Sequence, residues 1–106
     1  MASLKLGLLL STAPSHPSVE TVVQLAQGAL RRGVEVYLYL IDEGVKTAVD
    51  QRYLSLIDAG AKMSVCAYGC QQYGVPTTTI DSRASLSGLV VLSGIIDNCD
   101  RFLAFT

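Results

Sequence analysis

Short apolar runs alternate along the chain with longer segments in which apolar residues recur every three or four positions. Residues 4–10 are almost continuously apolar, the pattern of a strand covered on both faces. Residues 11–18 form a loop rich in serine and proline that ends at a helix start, with Pro17 or Ser18 near the first turn. From Val19 onward, Val22, Val23, Ala26, Ala29 and Leu30 keep helical spacing. Arg31 and Arg32 then complement the helix dipole, and Gly33 supplies the stop. Residues 34–41 are rich in β-branched and aromatic residues and predict a second buried strand.

After Asp42, a loop around Gly44 leads to a helix near residues 50–59, with Tyr53, Leu54, Leu56 and Ile57 inward and Gly60 closing it. Residues 61–65 read as a third strand. Residues 66–73 read as a short helix ending at Gly74, and residues 77–80 as a short polar strand. Residues 85–98 are ambiguous, because 89–92 suit a strand, but their length with Leu86, Ile95 and Ile96 favours a helix apolar nearly all round. Residues 101–105 close the chain as a strand. Strand and helix thus alternate throughout one domain, residues 1–106. The expected fold is an α/β three-layer sandwich: a mainly parallel sheet of about five strands with helices on both faces.

Composition narrows the function classes. Half of the 106 residues are hydrophobic and 16% are charged, against roughly 25% in an average soluble domain. That excludes intrinsic disorder. The net charge is -1 with no run of either sign, so the basic stripe of a direct nucleic-acid binder is missing. No apolar stretch approaches the roughly 20 residues of a membrane span. So small and apolar a chain has more apolar surface than a monomer easily hides, and a homo- or hetero-oligomer is expected. Residues 1–10 superficially suggest a leader. Their apolar part, 6–10, is shorter than the usual core of about 7–15 residues, Lys5 interrupts it, and no A-x-A site follows. A buried first strand and a cytoplasmic location are expected instead, where the three cysteines stay reduced.

Ligands of parallel α/β sheets gather at the carboxyl ends of the strands. Three segments qualify: the 11–18 loop, residues 42–46, and the segment opening at Cys66. Cys66 directly follows the third strand at a helix start, where unpaired amides and the positive end of the dipole favour a thiolate. Cys70, four residues on, lies on the same helix face. The C-x3-C spacing is not the C-x-x-C of thioredoxin-like sites. Two cysteines and one histidine, His16, are too few for a structural zinc site, so no metal and no organic cofactor are expected. Both cysteines can equally be small buried hydrophobes. Cys99, near Asp97 and Asp100, is better read as buried. His16 can serve as an acid or base at the active edge, or as a solvated loop residue. Asp42 and Glu43 offer a second polar wall or a solvated turn; Tyr68 and Tyr73 flank the cysteines, and Gln71 and Gln72 read as exposed. No G-x-G-x-x-G, P-loop or G-x-S-x-G motif occurs.

The order of these pieces resembles the DsrE/DsrF-like sulfur-relay family. The resemblance is carried by the opening strand and helix ending Ala29-Leu30-Arg31-Arg32-Gly33-Val34-Glu35-Val36, by Gly60-Ala61-Lys62-Met63-Ser64-Val65-Cys66, and by Asn98-Cys99-Asp100-Arg101-Phe102-Leu103-Ala104-Phe105. It implies a small cytoplasmic sulfur carrier whose Cys66 accepts sulfane sulfur as a persulfide and relays it to a partner's cysteine, with Gly74 as the glycine that closes the short helix. It also implies protein donors and acceptors and a trimeric or hexameric assembly. Cys70 stands close to the second cysteine of some members. It would either resolve the persulfide as a disulfide or hold it by a weak hydrogen bond. Many members carry an arginine just before the closing glycine, where this chain has Gln71-Gln72-Tyr73. Two other classes compete: a non-catalytic assembly subunit with buried cysteines, and a flavodoxin-like flavin or nucleotide binder using the 11–18 loop, which has no glycine to bring its backbone close to a phosphate.

Overall fold

In the computed structural model, which describes residues 3–106, five strands pair in parallel: β1 (Lys5–Leu10), β2 (Glu35–Leu40), β3 (Lys62–Cys66), β4 (Ser85–Ser87) and β5 (Arg101–Phe105). Their order in the sheet is β4-β3-β2-β1-β5. Met1 and Ala2, the start of the leader reading, lie outside the described residues. The connecting helices are α1 (Ser18–Arg31), α2 (Gln51–Asp58), α3 (Ala67–Gln72) and α4 (Leu89–Asn98). From β1 to β4 each strand is laid beside the last in one direction, and α4 then carries the chain back to β5 on the far side of β1. Right-handed crossovers, the near-universal hand, place α1 to α3 on one face of such a sheet and α4 on the other.

The two faces differ. Strand alternation puts Leu8, Leu10, Val36, Leu38, Leu40, Met63 and Val65 on one side, where they meet Val19, Val22, Val23 and Ala26 of α1 and Tyr53 and Leu56 of α2. All of these are buried. Each large apolar side chain there contributes roughly 1.5–3 kcal/mol of transfer free energy. The opposite face, carrying Gly7, Leu9, Tyr37, Tyr39, Ser64 and Cys66, is covered by α4, none of whose residues is fully buried. Cys99 Sγ and Ile95 pack against Gly7, which has no room for a side chain.

A side-chain cap fixes the start of α2. Asp50 accepts a hydrogen bond from the Arg52 amide at the start of α2 (2.8 Å), and Arg52 reaches Glu20 of α1 (2.8 Å). The Tyr53 hydroxyl donates to the Val19 carbonyl at 2.9 Å, so this buried phenol is satisfied.

Three expectations need correcting. Residues 77–80 are not a strand: Thr77–Thr79 is a 3₁₀ turn behind Pro76, and the Thr79 hydroxyl donates back to the Pro76 carbonyl. The fourth strand is instead Ser85–Ser87, so the helix expected over 85–98 begins only at Leu89, after the extended Gly88. The loop expected around Gly44 is the ordered 3₁₀ helix Asp42–Val49. It is entered through Asp42 in the left-handed region (φ +52°) and presses so closely on the end of β1 that a Cβ at Gly44 would overlap the Leu10 carbonyl.

Candidate functional site

Cys66 ends β3 and is the N-cap of α3, with an extended backbone that turns directly into the helix. Its Sγ accepts a hydrogen bond from the Gly69 amide at 3.4 Å. A Cβ at Gly69 would come within 2.9 Å of Val45 Cγ1, so only glycine lets α3 sit this close to the 3₁₀ helix. The sequence thus aims an amide hydrogen at the sulfur by bringing two short elements together. Gly74 closes α3 with φ +68°, as a left-handed helix end requires.

Cys66 is one wall of a pocket of about 400 Å³, bounded also by Ile41 and Asp42 after β2, Ala67 to Gly69 of α3, and Ser87, Gly88 and Leu89 at the start of α4. Its lining is mainly apolar, with Asp42 and the exposed Tyr68 as its ionisable members besides the cysteine. Cys66 is buried but retains 6% exposure, whereas Cys70 retains 1%. Cys66 lines the pocket and Cys70 does not. Burial, and then the charge of a neighbouring Cys66 thiolate, push the Cys70 thiol up. All three cysteines are free thiols.

The other candidates separate. His16 is exposed, accepts the Ser18 amide on Nδ1 at 3.1 Å at the start of α1, and does not line the pocket. Glu43 is also absent from the lining, so of the expected polar wall only Asp42 reaches the site. Tyr73 is partly buried beneath the Lys46 ammonium (5.4 Å), and Gln71 and Gln72 are exposed. Cys99 is half-buried rather than fully buried; burial raises its thiol pKa, Lys5 opposes that, and Asp100 and Glu35 add to it, while Asp97 does not act. In the 11–18 loop, Ser11 donates its amide to the Phe105 carbonyl (3.0 Å) and its hydroxyl lies 3.4 Å from the same oxygen, which ties β1 to β5. Among the described residues no three His, Cys, Asp or Glu side chains gather as a metal site, and no helix is long and apolar enough to cross a membrane.

One residue that sequence reasoning missed stands out. Tyr39 on β2 is fully buried, and no atom of the described residues meets hydrogen-bond geometry with its hydroxyl. It pairs with Ser64 across the β2–β3 ladder, so it shares a face with Cys66 two residues on. Burial, the charge of Cys66 and the pull of that sulfur on the phenol proton together push Tyr39 up to about 12. The signal available in the sequence was only the period-two match of Tyr39 to Ser64 and Cys66, once β2 and β3 are known to be parallel neighbours.

Comparison with known proteins accords with this architecture. The YchN protein of E. coli superposes with a TM-score of 0.86 at 17% identity, covering 96% of this chain and 99% of that one. A conserved protein of unknown function from Bacteroides thetaiotaomicron, BT1422, gives 0.79 at 18% identity over 95% of this chain and 94% of its own. MTH1491 of Methanobacterium thermoautotrophicum, likewise of unknown function, gives 0.79 at 10% identity over 97% and 100%. At such identities the likeness is one of fold. No curated protein matches the sequence significantly. The sequence pattern of the DsrE/DsrF-like family, however, matches residues 4–105, nearly the whole chain, and the protein belongs to that family.

Proposed function

We propose that the protein is a cytoplasmic sulfur carrier that works through a persulfide on Cys66. The observation that supports this most is the Cys66 sulfur itself. It stands at the end of β3, takes the Gly69 amide hydrogen, and belongs to a residue that lines a pocket of about 400 Å³. In loading, the Cys66 thiolate attacks the outer sulfur of a donor persulfide. A new S–S bond forms on Cys66, the donor's S–S bond breaks, and the donor cysteine leaves as a thiolate. Discharge is the same step with Cys66 as the leaving thiolate and a partner cysteine as the nucleophile. No electrons are gained or lost overall, so no redox cofactor is called for.

Cys70 leaves the persulfide intact in this reading. Its attack on the inner sulfur of a loaded Cys66 would form a Cys66–Cys70 disulfide and expel hydrosulfide. A thiol kept protonated by burial is a poor nucleophile, so this loss is slow. The carrier must dock both donor and acceptor proteins, and the exposed apolar residues Leu89, Val90, Val91 and Ile96 of α4 supply surface for assembly into an oligomer.

The test is intact and peptide mass measurement after incubation with a persulfide donor. The wild type gains the mass of one sulfur on the peptide holding Cys66, and Cys66→Ser gains none. An adduct that survives the substitution moves the role to another cysteine. The deep burial of Cys66 favours one rival, a pure assembly subunit. Equal inertness of Cys66, Cys70 and Cys99 toward a small alkylating reagent would establish that rival.

A further inference from the structure

We propose that the Tyr39 hydroxyl is a positioning donor for the Cys66 sulfur: unpartnered in the resting thiol, it hydrogen-bonds Sγ whenever that atom carries negative charge. The inference rests on the carrier reading for its purpose, and on the geometry of β2 and β3 for its substance.

The chain holds two fully buried tyrosines on which to judge it. Tyr53 spends its hydroxyl on the Val19 carbonyl, as a buried phenol ordinarily does. Tyr39 does not, and leaving a buried hydroxyl without a partner is unfavourable. A phenylalanine at this place would fill the same volume at no such cost. The residue is adjacent to the chemistry: Tyr39 is opposite Ser64 and on the face where Cys66 emerges, within the reach of a long aromatic side chain. Its proton is held firmly, since burial first and Cys66 second raise its titration to about 12. At neutral pH Tyr39 therefore donates and does not act as a base.

The Cys66 sulfur already has one amide donor, Gly69, which cannot withdraw because it belongs to α3. A thiol needs little more. A thiolate accepts several hydrogen bonds, and charge-assisted ones are stronger than neutral ones. Sγ bears that charge twice in the cycle: when free Cys66 attacks the donor, and when loaded Cys66 departs during discharge. The cost of the orphaned hydroxyl is thus borne in the resting state and recovered in the states that react. Asp42 at the pocket rim is the one carboxylate lining the site, and Tyr68 is its other ionisable side chain.

The test is Tyr39→Phe, which deletes one oxygen, with Tyr53→Phe as the control. Cys66 alkylation by iodoacetamide is followed across pH by peptide mass. If the hydroxyl stabilises the thiolate about tenfold, its loss lowers the alkylation rate about threefold at neutral pH, because the fewer thiolates are each more nucleophilic. In strongly alkaline buffer the order inverts and the variant reacts faster. Discharge of the persulfide to a thiol acceptor slows by roughly threefold to tenfold for want of leaving-group stabilisation. Tyr39→Phe melts at or above the wild-type temperature, whereas Tyr53→Phe melts lower. Superimposable alkylation profiles, or a melting loss in Tyr39→Phe like that of Tyr53→Phe, would overturn the assignment and make Tyr39 a packing residue. The alkylation arm needs no sulfur transfer. Failure of the wild type to load sulfur therefore counts against the carrier reading and leaves the Tyr39 result standing by itself.

Discussion

Gly69→Ala tests whether the site is built by close approach of α3 to the 3₁₀ helix. The added Cβ would lie 2.9 Å from Val45 Cγ1, against about 3.5–4.0 Å for carbon atoms in contact, while its next neighbours, the Asp42 amide nitrogen and Cys66 Cβ, are at an ordinary 3.5 Å. Val45 is fully buried, and its branched side chain has one strongly preferred rotamer, so it cannot swing aside freely. Overpacking of this kind costs about 1–3 kcal/mol. Alanine returns about 0.8–1 kcal/mol in helix propensity. The expected net loss is about 1 kcal/mol, or about 4–8 °C in Tm for a domain of this size.

Val45→Ala alone removes two buried methyl groups, at about 0.8 kcal/mol each plus a cavity term, for about 2–3 kcal/mol. In the double variant the methyl group introduced by Gly69→Ala occupies the vacated space. Its loss should fall short of the sum of the singles by about 1–2 kcal/mol. Urea unfolding of the four proteins at one protein concentration, with equal m-values, measures this. Single effects that add to within about 0.5 kcal/mol, or a Gly69→Ala protein as stable as the wild type, would refute the claim that these elements touch.

Two further outcomes follow from the burial of thiols and from the bareness of α4. Cys70 has its pKa raised on folding, so its contribution to stability is complete below the ordinary thiol range and is lost as pH climbs through the raised value. Stability measured by urea unfolding should therefore fall as buffers become alkaline, and Cys70→Ala should flatten that fall; an identical slope in both proteins would show that Cys70 is not the group. Val90, at 87% exposure the barest apolar side chain of the helix, should be covered in an assembly. Val90→Lys is expected to lower the sedimentation-derived mass of an oligomer while leaving the circular dichroism of the chain unchanged, and an unaltered mass would place the interface elsewhere.

Much of the fold was legible because its main core is strict. In β1, β2 and β3 the buried positions that face α1 and α2 are filled by Leu, Val and Met, and α1 keeps its helical period up to Gly33, whose φ of +79° is the stop the sequence announces. The edge was not legible. β4 has one apolar residue in three, Leu86, and rests on β3 alone, so nothing in its pattern distinguishes it from a loop. The threonines of 77–79 favour strands by propensity, but Pro76 and a side-chain bond to its carbonyl hold them in a turn. At the candidate site, the place of Cys66 was legible because a cysteine at a strand end is visible in one dimension. Gly69 and Tyr39 were not, since what matters in each is a distance to an element far off in sequence.

The division of labour between the two sheet faces explains how one small chain accommodates these demands. Conformational entropy is opposed chiefly on the side of α1 and α2, where packing is tight, Asp50 caps α2, and Arg52 links it to Glu20 of α1. The side of α4 buries less, and it is the side that holds Tyr39, Ser64 and Cys66 and shows apolar residues to its surroundings. An unpaired hydroxyl and a helix with no fully buried residue are both unfavourable, and they occur on the same face. A chain whose stability rests on the first face can carry both on the second. Substitutions beneath α1 should therefore unfold the protein before they alter Cys66, and substitutions beneath α4 should alter Cys66 or assembly before they unfold it.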